Sequence, residues 1–138
     1  EVYAVDFSKQ AIQNLENKIS DSNLMIKLIN EDIFNLDQNY LNSFDMVFEY
    51  TCYCAIHPNQ RKRYFDLVHK ILKKDGILYG IFIPFDKKTN DGPPFKVNLN
   101  EIKNYTTDKF DIIENYMSDL SIPQRRNRER VIILKKIA

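Results

Sequence analysis

Three acidic residues lie at or just beyond the ends of apolar runs that are typical of buried strands. Asp6 closes VYAVD, Asp32 follows the run that ends at Ile29, and Glu49 lies near the end of FDMVFEY. The carboxyl ends of parallel strands form the edge at which α/β proteins bind ligands. A carboxylate after the second strand of a Rossmann-like unit can accept hydrogen bonds from two ribose hydroxyl groups. Asp6 is therefore a candidate ribose ligand, with a helix cap as its alternative.

The segment around Asp32 adds a candidate site for a nucleobase. In the sequence EDIF the carboxylate can accept a hydrogen bond from an adenine amino group while the apolar neighbours sandwich the base. The alternative for Asp32 is that it only forms a turn. The alternative for Glu49 is that it is a solvated residue at a strand end. The occurrence of all three acids in one α/β pattern favours a nucleoside-containing ligand.

Two cysteines and a histidine raise the question of a metal site. Cys52, Cys54 and His57 follow the pattern C-x-C-x-x-H, whereas zinc ligands usually pair at a wider spacing. A fourth ligand is not evident, so we predict no metal. Cys52 as a nucleophile lacks an identifiable base partner.

The sequence has two further unusual features, a cluster of arginines and a proline-containing turn. Arg125, Arg126, Arg128 and Arg130 are close together, but the net charge is +1 and no aromatic residues are interleaved, so a solvated edge is favoured over nucleic-acid binding. Residues 92–97 read GPPFKV, which cannot be helix interior or central strand because proline lacks an N–H group.

Composition limits the class of protein. The chain has 138 residues, of which 43% are hydrophobic, enough to form one domain with a buried core. No apolar run is long enough to span a membrane, and no signal peptide opens the chain. The two cysteines lie too close in sequence for an easy disulfide, which favours a cytoplasmic location.

Hydrophobic patterning predicts the elements that must position these residues. Ser8 caps a first helix, and Pro58 opens a second that ends at the sequence KKDG. Strands are predicted over residues 2–5, 24–29, 44–50, 76–84, 110–116 and 130–137, the last two as an antiparallel pair. Strands that are apolar throughout imply a mostly parallel sheet, so we predict an α/β, Rossmann-like three-layer sandwich with an antiparallel C-terminal strand.

The motifs resemble those of a known family. VYAVDFS, NEDIFNL and FDMVFEYTCYCAIHP are similar to class I S-adenosylmethionine-dependent methyltransferases. The stretches EYTCYCAIHPNQRKRYFDLVHKILKKDG, IFIPFDKKTNDGPPFKV and RRNRERVIILKK closely resemble the thiopurine S-methyltransferase family, nearest to its thiol and halide methyltransferase branch. The resemblance covers essentially the whole chain.

The resemblance implies a cofactor, S-adenosylmethionine, which leaves as S-adenosylhomocysteine, and a small-molecule acceptor. It also implies a monomer. Tyr50 and Tyr53 become the candidates for positioning the acceptor. The residues implied in cofactor binding are Asp6, Phe7, Ser8, Asp32, Ile33, Phe34, Glu49 and Tyr50. Those implied in acceptor binding are Tyr53, Phe85, Pro93, Pro94, Phe95, Arg125 and Arg126.

The sequence also departs from the family. The glycine-rich loop after the first strand is absent, so we expect a single methyltransferase domain over residues 1–138 that is truncated at its N-terminus, with its first strand missing. The glycine usual in an R-x-G-R-E-like stretch is replaced by Asn127.

The predicted activity is methyl transfer to a soft nucleophile, most of all a thiol or sulfide, with halides and thiopurines as further acceptors. A catalytically silent protein that binds the cofactor and acts through a partner is the alternative. A nicotinamide-dependent oxidoreductase would share the acid after the second strand but does not explain GPPF.

Overall fold

The computed structural model describes residues 1–137 and divides into two compact units, one over Glu1–Asn39 and one that begins at Tyr40. The single domain over residues 1–138 stays a prediction, and its last residue lies outside the described part of the chain.

The first unit is a strand–helix–strand arrangement. β1 (Val2–Asp6) and β2 (Ile26–Asn30) pair in parallel, and α1 (Lys9–Ile19) connects them. The Ser8 hydroxyl accepts a hydrogen bond of 3.3 Å from the backbone N–H of Ala11, which satisfies a donor that the first turn of α1 leaves free. A 3₁₀ segment over Ile33–Gln38 follows β2.

The second unit is a mixed four-stranded sheet in the order β3-β4-β6-β5. Its strands are β3 (Phe44–Tyr50), β4 (Leu72–Phe82), β5 (Phe110–Met117) and β6 (Arg130–Lys136). β3 and β4 are parallel, whereas β6 runs antiparallel to both β4 and β5. The predicted antiparallel pairing of the two C-terminal strands is confirmed.

Two helices accompany this sheet, α2 (Arg61–Ile71) and α3 (Leu99–Thr106). The apolar residues of α2 recur at helical spacing, so one face of the helix is buried. That face comprises Tyr64, Phe65, Leu67, Val68 and Ile71. Within the described residues, no helix is long and apolar enough to cross a membrane.

Several boundaries differ from the predictions. α2 ends at Ile71 because Leu72 already has extended backbone angles and pairs with Phe44 of β3. The left-handed residue of the KKDG sequence is Asp75, with φ of 62°, and not the glycine after it. α3 was not predicted, because it is short and largely polar; Asn98 caps it by accepting a hydrogen bond from the N–H of Asn100.

Candidate functional site

Asp6 lies at the carboxyl edge of the parallel pair in the first unit. It stands opposite Asn30 in the register of β1 and β2. Its Oδ1 atom accepts a hydrogen bond of 2.7 Å from the N–H of Ser8, and the Asn30 amide donates to the carbonyls of Asp6 and Phe7, both at 3.0 Å. These contacts fix the turn after β1. Among residues 1–137, no donor contacts the second carboxylate oxygen of Asp6, which can therefore accept from a ligand.

Asp32 follows the neighbouring strand at the same edge. Its Oδ1 atom accepts a hydrogen bond of 2.9 Å from the N–H of Phe34, so the predicted alternative, a local capping role, is observed. The carboxylate is nevertheless exposed. Phe7 is 82% exposed beside Asp6. Two carboxylates and an exposed aromatic ring after two adjacent strands fit a ligand with ribose hydroxyls and an amino-bearing base.

Both carboxylate oxygens of Glu49, in the second unit, accept hydrogen bonds from neighbouring residues. The residue is 2% exposed. Oε1 accepts a hydrogen bond of 2.8 Å from the N–H of Tyr53, and Oε2 accepts one of 2.7 Å from the Tyr64 hydroxyl. Burial raises the pKa of Glu49 against the effect of these hydrogen bonds. The carboxylate fixes the turn after β3, and its part in cofactor binding stays a prediction.

The backbone after β3 is unusual. Thr51 has φ of 66°, in the left-handed region that β-branched residues rarely adopt. This conformation directs the chain so that the N–H of Tyr53 meets the Glu49 carboxylate. Backbone strain of this kind occurs preferentially at functional sites, where the surrounding structure maintains it.

Tyr50, Arg125 and Glu129 form a cluster that joins the end of β3 to the turn before β6. The Tyr50 hydroxyl donates a hydrogen bond of 2.8 Å to Oε1 of Glu129 and accepts one from Nη1 of Arg125. The same Nη1 atom lies 3.4 Å from Oε1 of Glu129. The guanidinium carbon lies 5.1 Å from the centre of the Tyr50 ring. The Tyr–Arg–Glu cluster thus unites two residues that the sequence predicted, Tyr50 and Arg125, with one that it did not.

Burial differs sharply within the Tyr–Arg–Glu cluster. Tyr50 is 39% exposed and the Arg125 side chain 33%, whereas the Glu129 side chain is 6% exposed. Burial acts to raise the pKa of Glu129, but hydrogen bonds from Ser121, Tyr50 and Arg125 hold it below its ordinary value. Burial and Glu129 together raise the pKa of Tyr50. At neutral pH the cluster therefore contains a neutral phenol between a cation and an anion.

Tyr53 has a different environment. It is buried, and its ring packs against those of Tyr64, Phe65 and Phe82. Its hydroxyl donates a hydrogen bond of 2.7 Å to Glu101, and burial raises its pKa strongly. As an acceptor contact Tyr53 stays a prediction, while its observed contacts are those of a core residue.

Arg61, which the sequence analysis did not single out, underlies Tyr53. Its guanidinium carbon lies 4.5 Å from the centre of the Tyr53 ring, and Nη1 donates to Glu101 at 2.8 Å and to the Lys96 carbonyl at 2.9 Å. Nη2 is buried and has no partner among the described residues. Its position at the start of α2, after HPNQ, offered no periodic signal of burial.

The GPPF segment is fixed against the loop that follows β3. The N–H of Phe95 donates to the carbonyl of Cys54 at 2.7 Å, and the Phe95 ring meets the His57 ring edge-on at 5.3 Å between centroids. A Cβ atom on Gly92 would lie 2.6 Å from the Phe95 ring, so only glycine fits there. Pro93 and Pro94 are exposed.

The structure also defines the surroundings of Phe85, Arg126 and the two cysteines. The N–H of Phe85 donates to the carbonyl of Arg128 at 3.3 Å, which ties the loop after β4 to the turn before β6. Arg126 is exposed. Neither Cys52 nor Cys54 forms a disulfide, and burial raises the pKa of the Cys54 thiol. Within the described residues, no three His, Cys, Asp or Glu side chains are grouped to hold a metal.

The chain matches the thiopurine S-methyltransferase family over residues 1–136. It is 28% identical over 138 residues to an Arabidopsis thaliana protein named "Probable thiol methyltransferase 2", covering 98% of this chain and 60% of that protein. It is 27% identical to "Thiocyanate methyltransferase 1" of the same plant, covering 99% of this chain and 60% of that protein. The chain thus spans about three-fifths of the length of these relatives.

Solved structures share the fold. An S-adenosylmethionine-dependent methyltransferase from Methanosarcina mazei superposes with a TM-score of 0.81 at 18% identity, covering 99% of this chain and 82% of that chain. An N-methyltransferase from Burkholderia thailandensis, solved with S-adenosylhomocysteine, gives a TM-score of 0.73 at 14% identity, covering 99% and 61%. The predicted Rossmann-like α/β fold is confirmed.

Proposed function

Because the chain belongs to the thiopurine S-methyltransferase family, we propose that it methylates a small soft nucleophile with S-adenosylmethionine as the cofactor. A thiol or sulfide is the favoured acceptor, with halides, thiocyanate and thiopurines as further members of the class. The observation that carries the proposal is the Tyr–Arg–Glu cluster of the second unit, which presents a phenol and a guanidinium after β3.

Asp6 and Asp32 are the residues that we assign to the cofactor. Each uses one carboxylate oxygen to fix its own turn and keeps the other for a ligand. Asp6 would accept from the ribose hydroxyls and Asp32 from the adenine amino group. Phe7 would cover the nucleoside with its exposed ring. The cofactor, when bound, supplies an electrophilic methyl group on a sulfonium centre.

Tyr50 and Arg125 are the residues that we assign to the acceptor. Arg125 provides guanidinium N–H groups that can donate hydrogen bonds to the sulfur of a thiolate or to another soft anion. Its Nη1 atom is engaged by Tyr50 and Glu129, so the guanidinium is held in place while part of it remains exposed. Fixing the acceptor in this way lowers the entropic barrier to an in-line attack.

The site requires no strong base. A free thiol has a pKa of about 8.5, so an appreciable thiolate fraction exists at neutral pH. The charges of the acceptor and the sulfonium are neutralised as the methyl group moves, so excluding water favours the reaction. Phe95 and the prolines before it would form an apolar wall for this purpose.

A steady-state assay tests the proposal. The complete protein is incubated with S-adenosylmethionine and, in turn, sulfide, methanethiol, thiocyanate, iodide and a thiopurine. Methylated product from at least one acceptor is expected. Tight cofactor binding in a calorimeter without turnover of any acceptor would instead support the catalytically silent alternative.

The cellular setting is part of the proposal. Two cysteines that form no disulfide are consistent with a cytoplasmic enzyme, and we expect a monomer with a small-molecule acceptor and without nucleic acid. Cell fractionation and analytical ultracentrifugation test location and oligomeric state.

A further inference from the structure

The carboxylate of Glu129 contacts both groups that we assign to the acceptor. Oε1 accepts the Tyr50 hydroxyl at 2.8 Å and lies 3.4 Å from Nη1 of Arg125. The Glu129 side chain is 6% exposed, so its charge is poorly screened by solvent. The buried carboxylate of Glu129 therefore reduces the positive electrostatic potential of Arg125 at the short distances at which an acceptor would bind.

We propose that Glu129 sets the charge preference of the acceptor site by neutralising Arg125, and so limits binding of permanent anions relative to neutral thiols. This inference rests on the proposed function. In the wild type, the Arg125–Glu129 pair has no net charge, so a small anion gains little from long-range attraction. Without the carboxylate, the same guanidinium would act as an unopposed cation.

The Tyr50 hydroxyl transmits part of the effect. It donates its proton to Glu129 and receives one from Arg125, so its orientation is fixed by the carboxylate. A Gln amide oxygen at position 129 is a weaker acceptor than the carboxylate, so the hydroxyl proton is held less strongly and can be donated to an acceptor anion. Both consequences of removing the charge therefore favour anions.

The turn around Glu129 is independently anchored. The N–H of Ser118 donates to the Glu129 carbonyl at 3.1 Å, and the N–H of Arg128 donates to the Arg125 carbonyl at 3.0 Å. These backbone contacts do not involve the carboxylate. The isosteric variant Glu129→Gln should therefore change the charge with little effect on the backbone.

The experiment compares thiocyanate, a permanent anion, with 2-mercaptoethanol, which is mostly neutral at pH 7. The ratio of the KM for the thiol to the KM for thiocyanate should rise about tenfold in Glu129→Gln, as expected for one poorly screened charge a few ångströms away. Glu129→Asp keeps the charge and should stay within about twofold of the wild-type ratio.

Asp86→Asn is the matched control. Asp86 pairs with Arg128 of the same turn at 2.9 Å, so this variant removes the same charge without touching Tyr50 or Arg125. An unchanged ratio in Glu129→Gln, or an equal rise in Asp86→Asn, would overturn the inference.

Two readouts keep the test decisive. Neither readout depends on turnover. Calorimetry should show tighter binding of thiocyanate to Glu129→Gln, and NMR of ¹³C-labelled Tyr50 should show a lower Tyr50 pKa in that variant. If the wild type methylates nothing, the proposed function fails, while these two measurements still decide the role of Glu129. If Glu129→Gln does not fold, Arg125→Gln replaces it as the test variant and should lower the same ratio. An unchanged ratio in Arg125→Gln would contradict the inference.

Discussion

The Tyr50 hydroxyl lies 2.8 Å from Oε1 of Glu129, although 79 residues separate the two in sequence. The hydrogen bond connects the carboxyl end of β3 with the residue just before β6. Through it, the strand end that carries the candidate acceptor residue is joined to the arginine-rich turn.

Tyr50→Phe should reduce kcat/KM for the thiol acceptor by about tenfold, because it removes the hydroxyl that is hydrogen-bonded to the charged groups of Glu129 and Arg125 and holds Arg125 in place. The ring is 39% exposed, so the free energy of unfolding should change by less than about 1 kcal/mol. Steady-state kinetics and urea unfolding measure the two effects.

Tyr53→Phe is the matched comparison. Its hydroxyl is buried against Glu101, so it should lower the free energy of unfolding by about 1–2 kcal/mol and leave the acceptor KM nearly unchanged. If Tyr53→Phe impaired turnover of the acceptor and Tyr50→Phe only lowered the free energy of unfolding, Tyr53 and not Tyr50 would be the residue that positions the acceptor.

Phe95→Ala should raise the acceptor KM and weaken the discrimination between small and bulky thiols. The side chain packs on His57, and its removal would open the apolar wall. Kinetics with methanethiol and a thiopurine provide the measurement, with Leu120→Ala, a change at a 92% exposed side chain, as the control. If KM and selectivity are both unchanged, the GPPF segment is only a connector.

Asp6→Asn should weaken binding of S-adenosylhomocysteine by about tenfold or more, since hydrogen bonds to a charged group each contribute about 1.5–3 kcal/mol. The amide oxygen of Asn can still accept the N–H of Ser8, which keeps the turn. Calorimetry on the complete protein measures the affinity, and Asp21→Asn serves as the exposed control. Equal affinities in the two variants would exclude Asp6 as a ribose ligand.

The buried carboxyl of Glu49 predicts a pH-dependent stability. Its pKa in the folded state is raised above the ordinary 4.5, so the folded state holds the proton more tightly than the unfolded state does. The stabilisation is present below about pH 4.5 and is lost as pH rises through the folded-state pKa. The free energy of unfolding of wild type minus that of Glu49→Gln should therefore fall over this window. A difference that is flat or that rises with pH would show that burial does not dominate.

Part of the site was predictable because strand ends are visible in the sequence. Asp6 and Asp32 follow apolar runs, and the structure places both at one edge of a parallel pair. Tyr50 and Arg125 were predicted separately, on the resemblance. Their contact was not, because a pairing between residues so distant in sequence depends on the order of the strands in the sheet.

Other features were missed for physical reasons. α3 has only eight residues, too few for a clear periodic signal, although Asn98 and Glu101 have the spacing of a capping box. Asn127, which replaces the family's glycine, has φ of 61°. Asn is one of the few residues that tolerate this left-handed conformation, so the turn survives the substitution. Glu129 beside it is a charged residue buried by its partners, which hydropathy does not reveal.

Methyl transfer to sulfur is tested most directly with S-adenosylmethionine that carries a trideuterated methyl group. The complete protein is incubated with this cofactor and a thiol, and the product is analysed by mass spectrometry. The expected product is a thioether that carries the labelled methyl group on sulfur, with at least tenfold less of it formed by Arg125→Gln. Absence of labelled product with every thiol, sulfide, halide and thiopurine tried would contradict the proposed methyl transfer.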